Sequence, residues 1–424
     1  MKNQLLFWLS LSCYFLFFLP AKAQTTIIKA KQYLEVQSGQ LIQPAIFVIE
    51  KEVIKAINPA ELPTEATVIE LPNQTLLPGL IDMHTHITFD LEMMGSAVTK
   101  ESEADYALRG AYNAKRTLLA GFTTIRNLGS DDFADIALDK AIKKGFVDGP
   151  EIFSAGHTLS ITGGHADVTG MTHGILEQDY RKGIADGRTE AIKAARYQIK
   201  HGAKVIKICA TAGVLSFEGP VGAQQFSYEE MESIVEEAHR HGLKVAAHAH
   251  GADGILAAVK AGVSSIEHGS VLTEEIITEM AKRGTYLTPT NFLNETVNLA
   301  RLHPILRKKA EYVISVSTKS LEDAVAGGVP IVFGTDAGVM THGENAKEFK
   351  VMVEAGMSPL NAIQAATLNA SDLLGVTDRG VLAKGKRADI IGVSSNPLDN
   401  IRVLETVNFV MKGGVIYKFK PLKN

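Results

Sequence analysis

Eight times along residues 76–338 the chain repeats one unit, a short apolar run reached through a glycine or proline turn and paired with an amphipathic segment. The runs are LLPGLIDMHTH (76–86), FTTIRNL (122–128), EIFSAG (151–156), KVIKICA (204–210), KVAAHAH (244–250), SSIEHG (264–269), TYLTPT (285–290) and IVFGTDAG (331–338). Between them lie helical patterns such as Ser227 to Gly242, which opens on the capping box Ser227-Tyr228-Glu229-Glu230. Continuous apolar strands alternating with helices indicate a parallel sheet buried on both faces. Eight such units close into a (β/α)8 TIM barrel, whereas an open doubly wound sheet needs fewer.

The flanks have another pattern. Stretches such as TIIKAKQYLEV and AIFVIEKEVIKAI near the start, and VNFVMKGGVIYK near the end, read as short strands broken by turns. Neither end is large enough for its own core, so the two are expected to combine into a small β-sandwich beside the barrel. The expected organisation is therefore residues 24–75 and 376–424 in the sandwich and 76–375 in the barrel. Residues 1–23 read as a secretory signal peptide: Lys2, an apolar stretch from Leu5 to Leu19, and the small-x-small site Ala21-Lys22-Ala23. Export to the periplasm or the extracellular space, with cleavage after about Ala23, follows from that reading. No other segment is a candidate anchor. Cys209 is then the one cysteine left, so no intramolecular disulfide forms. A net charge of −4 gives no footprint for nucleic acid and no polybasic membrane patch. Whether the chain forms a homo-oligomer is open at this level.

In a barrel, chemistry sits where strands end. Those ends carry His84 and His86 on the first strand, Lys207 on the fourth, His248 and His250 on the fifth, His268 on the sixth and Asp336 on the eighth. Residues two apart on a strand share a face, so His84 and His86 project together. Imidazoles and a carboxylate converging on one rim suit a divalent transition metal. Lys207, inside an apolar run, fits that setting only as a neutral amine. His248 and His250 also share a face, and periodicity does not separate them.

The assembled pattern resembles the amidohydrolase superfamily, as do LPGLIDMHTH, AAHAHG, SIEHGS, FGTDAG and the C-terminal MSPLNAIQAATLNASDLLG and DRGVLAKGKRADIIGVSSNPLDNI. The resemblance implies two divalent ions, zinc foremost, with manganese, cobalt or iron also fitting N and O donors. It implies His84, His86 and Asp336 at the more buried ion and His248 and His268 at the second. Lys207 would bridge both as a carbamate formed with CO2. Asp336 would serve as the catalytic acid and base, taking a proton from water and passing it to the leaving nitrogen. Within the superfamily the chain looks most like the group of imidazolonepropionase-related hydrolases, Xaa-Pro dipeptidases and fungal ochratoxin amidase, a likeness that includes TGGHAD (162–167) and KICATAGVLS (207–216).

His165, in that glycine-rich loop, is suited to contact a substrate carbonyl or carboxylate. Tyr228 and His250 are further candidates for substrate contact. Arg126, at the end of TTIRNL, suits either bidentate recognition of a substrate carboxylate or pairing with a structural acid, and is left outside the site. The expected function is an exported binuclear-metal amidohydrolase acting on Xaa-Pro or related dipeptides or N-acyl amino acids. Its alternatives are an imidazolonepropionase-like hydrolase of cyclic amides and a barrel that binds metal or ligand without catalysis.

Overall fold

A computed structural model describes residues 25–91 and 100–420. The expected leader over residues 1–23 lies outside the described residues. Two parallel sheets form most of the barrel wall. One contains Leu80–Thr85, Phe122–Asn127 and Glu151–Ser154, and the other Val205–Cys209, Lys244–Ala249, Ser265–His268 and Tyr286–Thr288.

Backbone hydrogen bonds join the two sheets on both sides. Lys204 N–H donates to Ser154 O at 2.8 Å, and Leu159 N–H donates to Lys207 O at 2.8 Å. On the other side the eighth run completes the ring: Val332 N–H reaches Leu287 O at 3.0 Å, Met83 N–H reaches Phe333 O at 2.9 Å, and His86 N–H reaches Ala337 O at 2.7 Å. This run closes the barrel through isolated bridges, Leu287 to Ile331 and Thr85 to Ala337, instead of a continuous strand. Within this run Asp336 takes a φ of 58°, outside the extended region.

The first run also differs from its expected extent. Leu76 and Leu77 belong to the strand Thr67–Pro78 of the terminal sheet, and the barrel strand begins at Leu80. Gly79 is the joint. A Cβ at Gly79 would lie 2.2 Å from Thr123 Oγ1 on the neighbouring strand, so no side chain fits where the chain passes between sheets.

Helices cover the outside of the ring, among them Glu103–Leu119, Gly187–His201, Tyr228–Arg240, Ala252–Ala261 and Pro304–Ala326. The capping box forms: Glu230 N–H donates to Ser227 Oγ at 3.3 Å, and Ser227 N–H donates to Glu230 Oε2 at 2.7 Å. Among the described residues no helix is long and apolar enough to cross a membrane.

Both ends of the chain meet in one eight-stranded sheet. The joining contact is antiparallel pairing of Thr67–Pro78 with Ile390–Val393. The far edge, Val53–Ile57, comes back to the chain just before Ile390, where Val53 bridges Arg387 and Ala388 N–H donates to Glu52 O at 2.7 Å. The sheet therefore folds over its own core, in which Phe47, Ile49 and Ile54 from one end pack with Ile390, Phe409 and Met411 from the other.

Candidate metal centre and active site

His84, His86 and Asp336 form one group, and His248, His250 and His268 form another. Within each group the ligand atoms lie within 4.8 Å of one another. Asp336 Oδ1 is 3.5 Å from His84 Nε2 and 3.4 Å from His86 Nε2. The two groups adjoin, with the rings of His84 and His268 5.0 Å apart at their centroids. Two of these residues sit in left-handed backbone, His268 at φ 70° and Asp336 at φ 58°. Such strain re-aims a side chain at the end of a strand and clusters at functional sites.

The ring nitrogens show how the imidazoles are held. His84 Nδ1 lies 2.9 Å from Glu267 Oε2, and His86 Nδ1 lies 3.3 Å from Gly129 O. His268 Nδ1 meets Thr290 Oγ1 at 2.8 Å, and His250 Nδ1 meets Ser270 Oγ at 2.7 Å. Tethering Nδ1 orients the ring and leaves Nε2 toward the group's centre, which is how metal-binding histidines are supported. His84 Nε2, His248 Nε2 and Asp336 Oδ1 are buried and without a hydrogen-bond partner among the described residues. Buried polar atoms are almost always satisfied, so orphans in such number at one place need a ligand. The N and O donors fit divalent transition metals.

The electrostatics agree with that fit. Burial drives His86 and His250 down to about 3 and holds His84, His248 and His268 well below the ordinary imidazole range. These rings are neutral near pH 7, the form that coordinates metals. Burial likewise pushes the Lys207 ammonium down from its ordinary value. Lys207 is 3% exposed. Burial pushes the Asp336 carboxyl up to about 7.

Both groups open on a cavity of about 670 Å³, a volume typical of small-molecule sites. Lys207 lines it beside the two groups. His165 lies in its wall, stacked on His248 with centroids 4.3 Å apart and planes 29° from parallel.

A match to the amidohydrolase family spans residues 75–418. The chain belongs to that family. Ochratoxinase of Aspergillus niger is 34% identical to this amidohydrolase over 428 residues, covering 94% of this chain and 87% of that protein. Among solved structures, a Xaa-Pro dipeptidase with bound methionine in its active site is 37% identical, with a TM-score of 0.88, covering 93% of this chain and 100% of that one. A prolidase complexed with N-methylphosphonate-L-proline is 30% identical, with a TM-score of 0.85, covering 94% and 100%. This amidohydrolase is accordingly a hydrolase of carbon–nitrogen bonds.

One expected substrate contact is not brought to the cavity. Tyr228 opens the helix Tyr228–Arg240, is exposed, and donates its hydroxyl to Glu232 Oε1 at 2.9 Å. Its partner sits four residues on, along the same helix face, and neither residue lines the cavity. His165 and His250, in contrast, both line the cavity.

Several supporting residues escape a reading of the sequence. Glu267 is fully buried and, besides its contact with His84, accepts from Arg126 Nη2 at 2.8 Å. Arg126 also donates to Met83 O at 2.6 Å and Ser265 Oγ at 3.0 Å, and with Glu267 as its partner the second of its two readings, pairing with a structural acid, is the one observed. Asp82 fastens the first run to the eighth, accepting from Thr335 Oγ1 at 2.6 Å and Asn345 Nδ2 at 2.8 Å. Ser265 and Glu267 alternate as polar residues in a buried strand, and that alone was a signal of an internal network. No comparable signal marks Thr290 or Ser270.

Proposed function

We propose that this amidohydrolase holds two divalent ions and hydrolyses the amide bond of Xaa-Pro or related dipeptides or N-acyl amino acids. His84, His86 and Asp336 would hold the inner ion and His248 and His268 the outer. Lys207 would lie between them as a carbamate, with zinc the foremost metal. The observation that carries this reading is the pair of donor groups opening on one cavity, with His84 Nε2, His248 Nε2 and Asp336 Oδ1 orphaned among the described residues.

When bound, such ions supply Lewis-acid activation of water and of a scissile carbonyl. The protein's own residues do the rest. The Lys207 ammonium first gives up one proton, and the neutral amine then adds to CO2 through Nζ with loss of a second, which puts an anion between the two donor groups. Asp336, whose carboxyl is poised near neutrality by burial, accepts a proton from water and delivers it to the leaving nitrogen. His165, in the wall above His248, contacts the substrate carbonyl or carboxylate. His248 is the ligand and His250 lies toward substrate. Export through the 1–23 leader belongs to the same reading and rests on the sequence.

The cavity volume and the likeness to a Xaa-Pro dipeptidase and a prolidase support a dipeptide-sized amide. The test is a panel of Xaa-Pro dipeptides and N-acyl amino acids against protein reconstituted with Zn²⁺ or Mn²⁺ and bicarbonate. Turnover of either class supports the reading. Metal-loaded protein that hydrolyses neither, but opens cyclic amides, would overturn the substrate assignment.

A further inference from the structure

His165 is held from outside the barrel. The buried Lys309, on the helix Pro304–Ala326, donates from Nζ to three backbone carbonyls of the loop after the fourth barrel strand: Gly213 at 3.3 Å, Ser216 at 2.8 Å and Glu218 at 2.6 Å. An ammonium has three hydrogens, so this one is fully committed to the loop. Lys309 does not line the cavity, although Ala310 beside it does.

The loop in turn fixes the imidazole. Ser216 Oγ lies 2.5 Å from His165 Nδ1 and donates to Glu218 Oε1 at 2.5 Å. Since serine has one hydroxyl proton and the carboxylate takes it, Nδ1 must be the donor in its bond to Ser216. Glu218 Oε1 also accepts from Gly213 N–H at 3.1 Å. Gly213 lies flush against the ring, where a Cβ would come within 2.0 Å of Cε1. The backbone N–H of His165 donates to Gln225 Oε1 at 3.1 Å, and its ring face rests on His248.

We propose that Lys309, acting through Ser216 and Glu218, is a positioning residue that sets the His165 ring over His248 in the cavity wall. This rests on the reading of His165 as a substrate contact. A clamp of this kind ties the geometry of the site to a residue that does not itself line the cavity.

The test is a double-mutant cycle on metal-loaded enzyme with Lys309→Met, Ser216→Ala and His165→Ala. A misplacement of about 1 Å costs on the order of 10²-fold, so Lys309→Met is expected to lower kcat/KM by about 10-fold to 10²-fold while metal content stays at the wild-type level. Combined with His165→Ala, it is expected to add nothing to the loss from His165→Ala alone, because coupled residues are not additive. Losses that multiply, or wild-type rates in both Lys309→Met and Ser216→Ala, would overturn the proposal. If Lys309→Met does not fold, the Ser216→Ala cycle decides by the same criterion. Ring ¹⁵N resonances of the zinc-loaded protein give a readout independent of turnover. The His165 signals are expected to shift in Lys309→Met and Ser216→Ala, and unchanged signals would overturn the clamp. An inactive wild type whose His165 signals do shift would sink the proposed substrate and leave the clamp standing.

Discussion

The two donor groups meet in one cavity, yet they are supported in different ways. His84 and His86 are braced from within the barrel, by the Glu267 carboxylate, itself paired with Arg126, and by the backbone carbonyl of Gly129. His268 and His250 lean on hydroxyls, Thr290 and Ser270, and His248 on the stacked ring of His165. The first set includes a buried charged pair on the barrel strands, Glu267 with Arg126. The second is neutral and borne by loops. Charge-assisted hydrogen bonds are about twice as strong as neutral ones. On that ground the inner group is expected to be the tighter half of the site, and the outer group, under the proposed function, the half that meets substrate.

The comparison can be broken at several points. Asp336→Asn keeps the shape of the inner group but removes the proton carrier. Its kcat is expected to fall by about 10³-fold with KM little changed, and a change confined to KM would contradict the assigned role. At the outer group, His248→Ala is expected to strip one ion while His250→Ala retains both. The reverse outcome, read by metal content, exchanges their roles. Glu267→Gln leaves the Arg126 guanidinium buried against a neutral amide. It is expected to cost about 3 kcal/mol in denaturant unfolding and about 10-fold to 10²-fold in inner-site metal affinity. Thr290→Val, its counterpart in the outer group, is expected to leave stability within about 1 kcal/mol and to weaken only the second ion. Equal effects from these two variants would erase the proposed difference between the groups.

The smallest expected effect is one of pH. Glu348 braces the loop that carries Thr290, accepting from the backbone N–H groups of Asn291 at 2.9 Å and Phe292 at 2.7 Å. Burial pushes its carboxyl from an ordinary 4.5 up to about 8. Between those values the folded state binds the proton that the unfolded chain has released, so stability falls as pH rises through that window. Glu348→Gln is expected to flatten the slope of unfolding free energy against pH from about 5 to 8, and an unchanged slope would contradict it.

Much of this architecture was legible because period and position carry it. The eight apolar runs gave the ring, and ligand residues at strand ends came into view because alternation puts His84 and His86 on one face. Arg126 was legible only as a cation for a carboxylate, and the sequence left open whether that carboxylate belonged to substrate or to the protein. What stayed hidden depends on contacts between distant segments. Thr290 and Ser270 are ordinary loop residues until the fold sets them beside His268 and His250. Tyr228 is absent from the cavity wall, and a helix N-terminus near the rim does not decide which way its side chain turns. The eighth run looked extended because no sequence signal announced the left-handed backbone at Asp336, and the first run spanned two sheets because only packing against Thr123 makes Gly79 a joint.

The central claim is that these residues form a binuclear centre bridged by Lys207. It is tested most directly by metal content per chain, for wild type and Lys207→Ala reconstituted alike with Zn²⁺ and bicarbonate. The account predicts about two ions in the wild type, as in two-metal hydrolytic sites, and loss of metal in the variant. No bound metal in the wild type, or an undiminished content in Lys207→Ala, would contradict it.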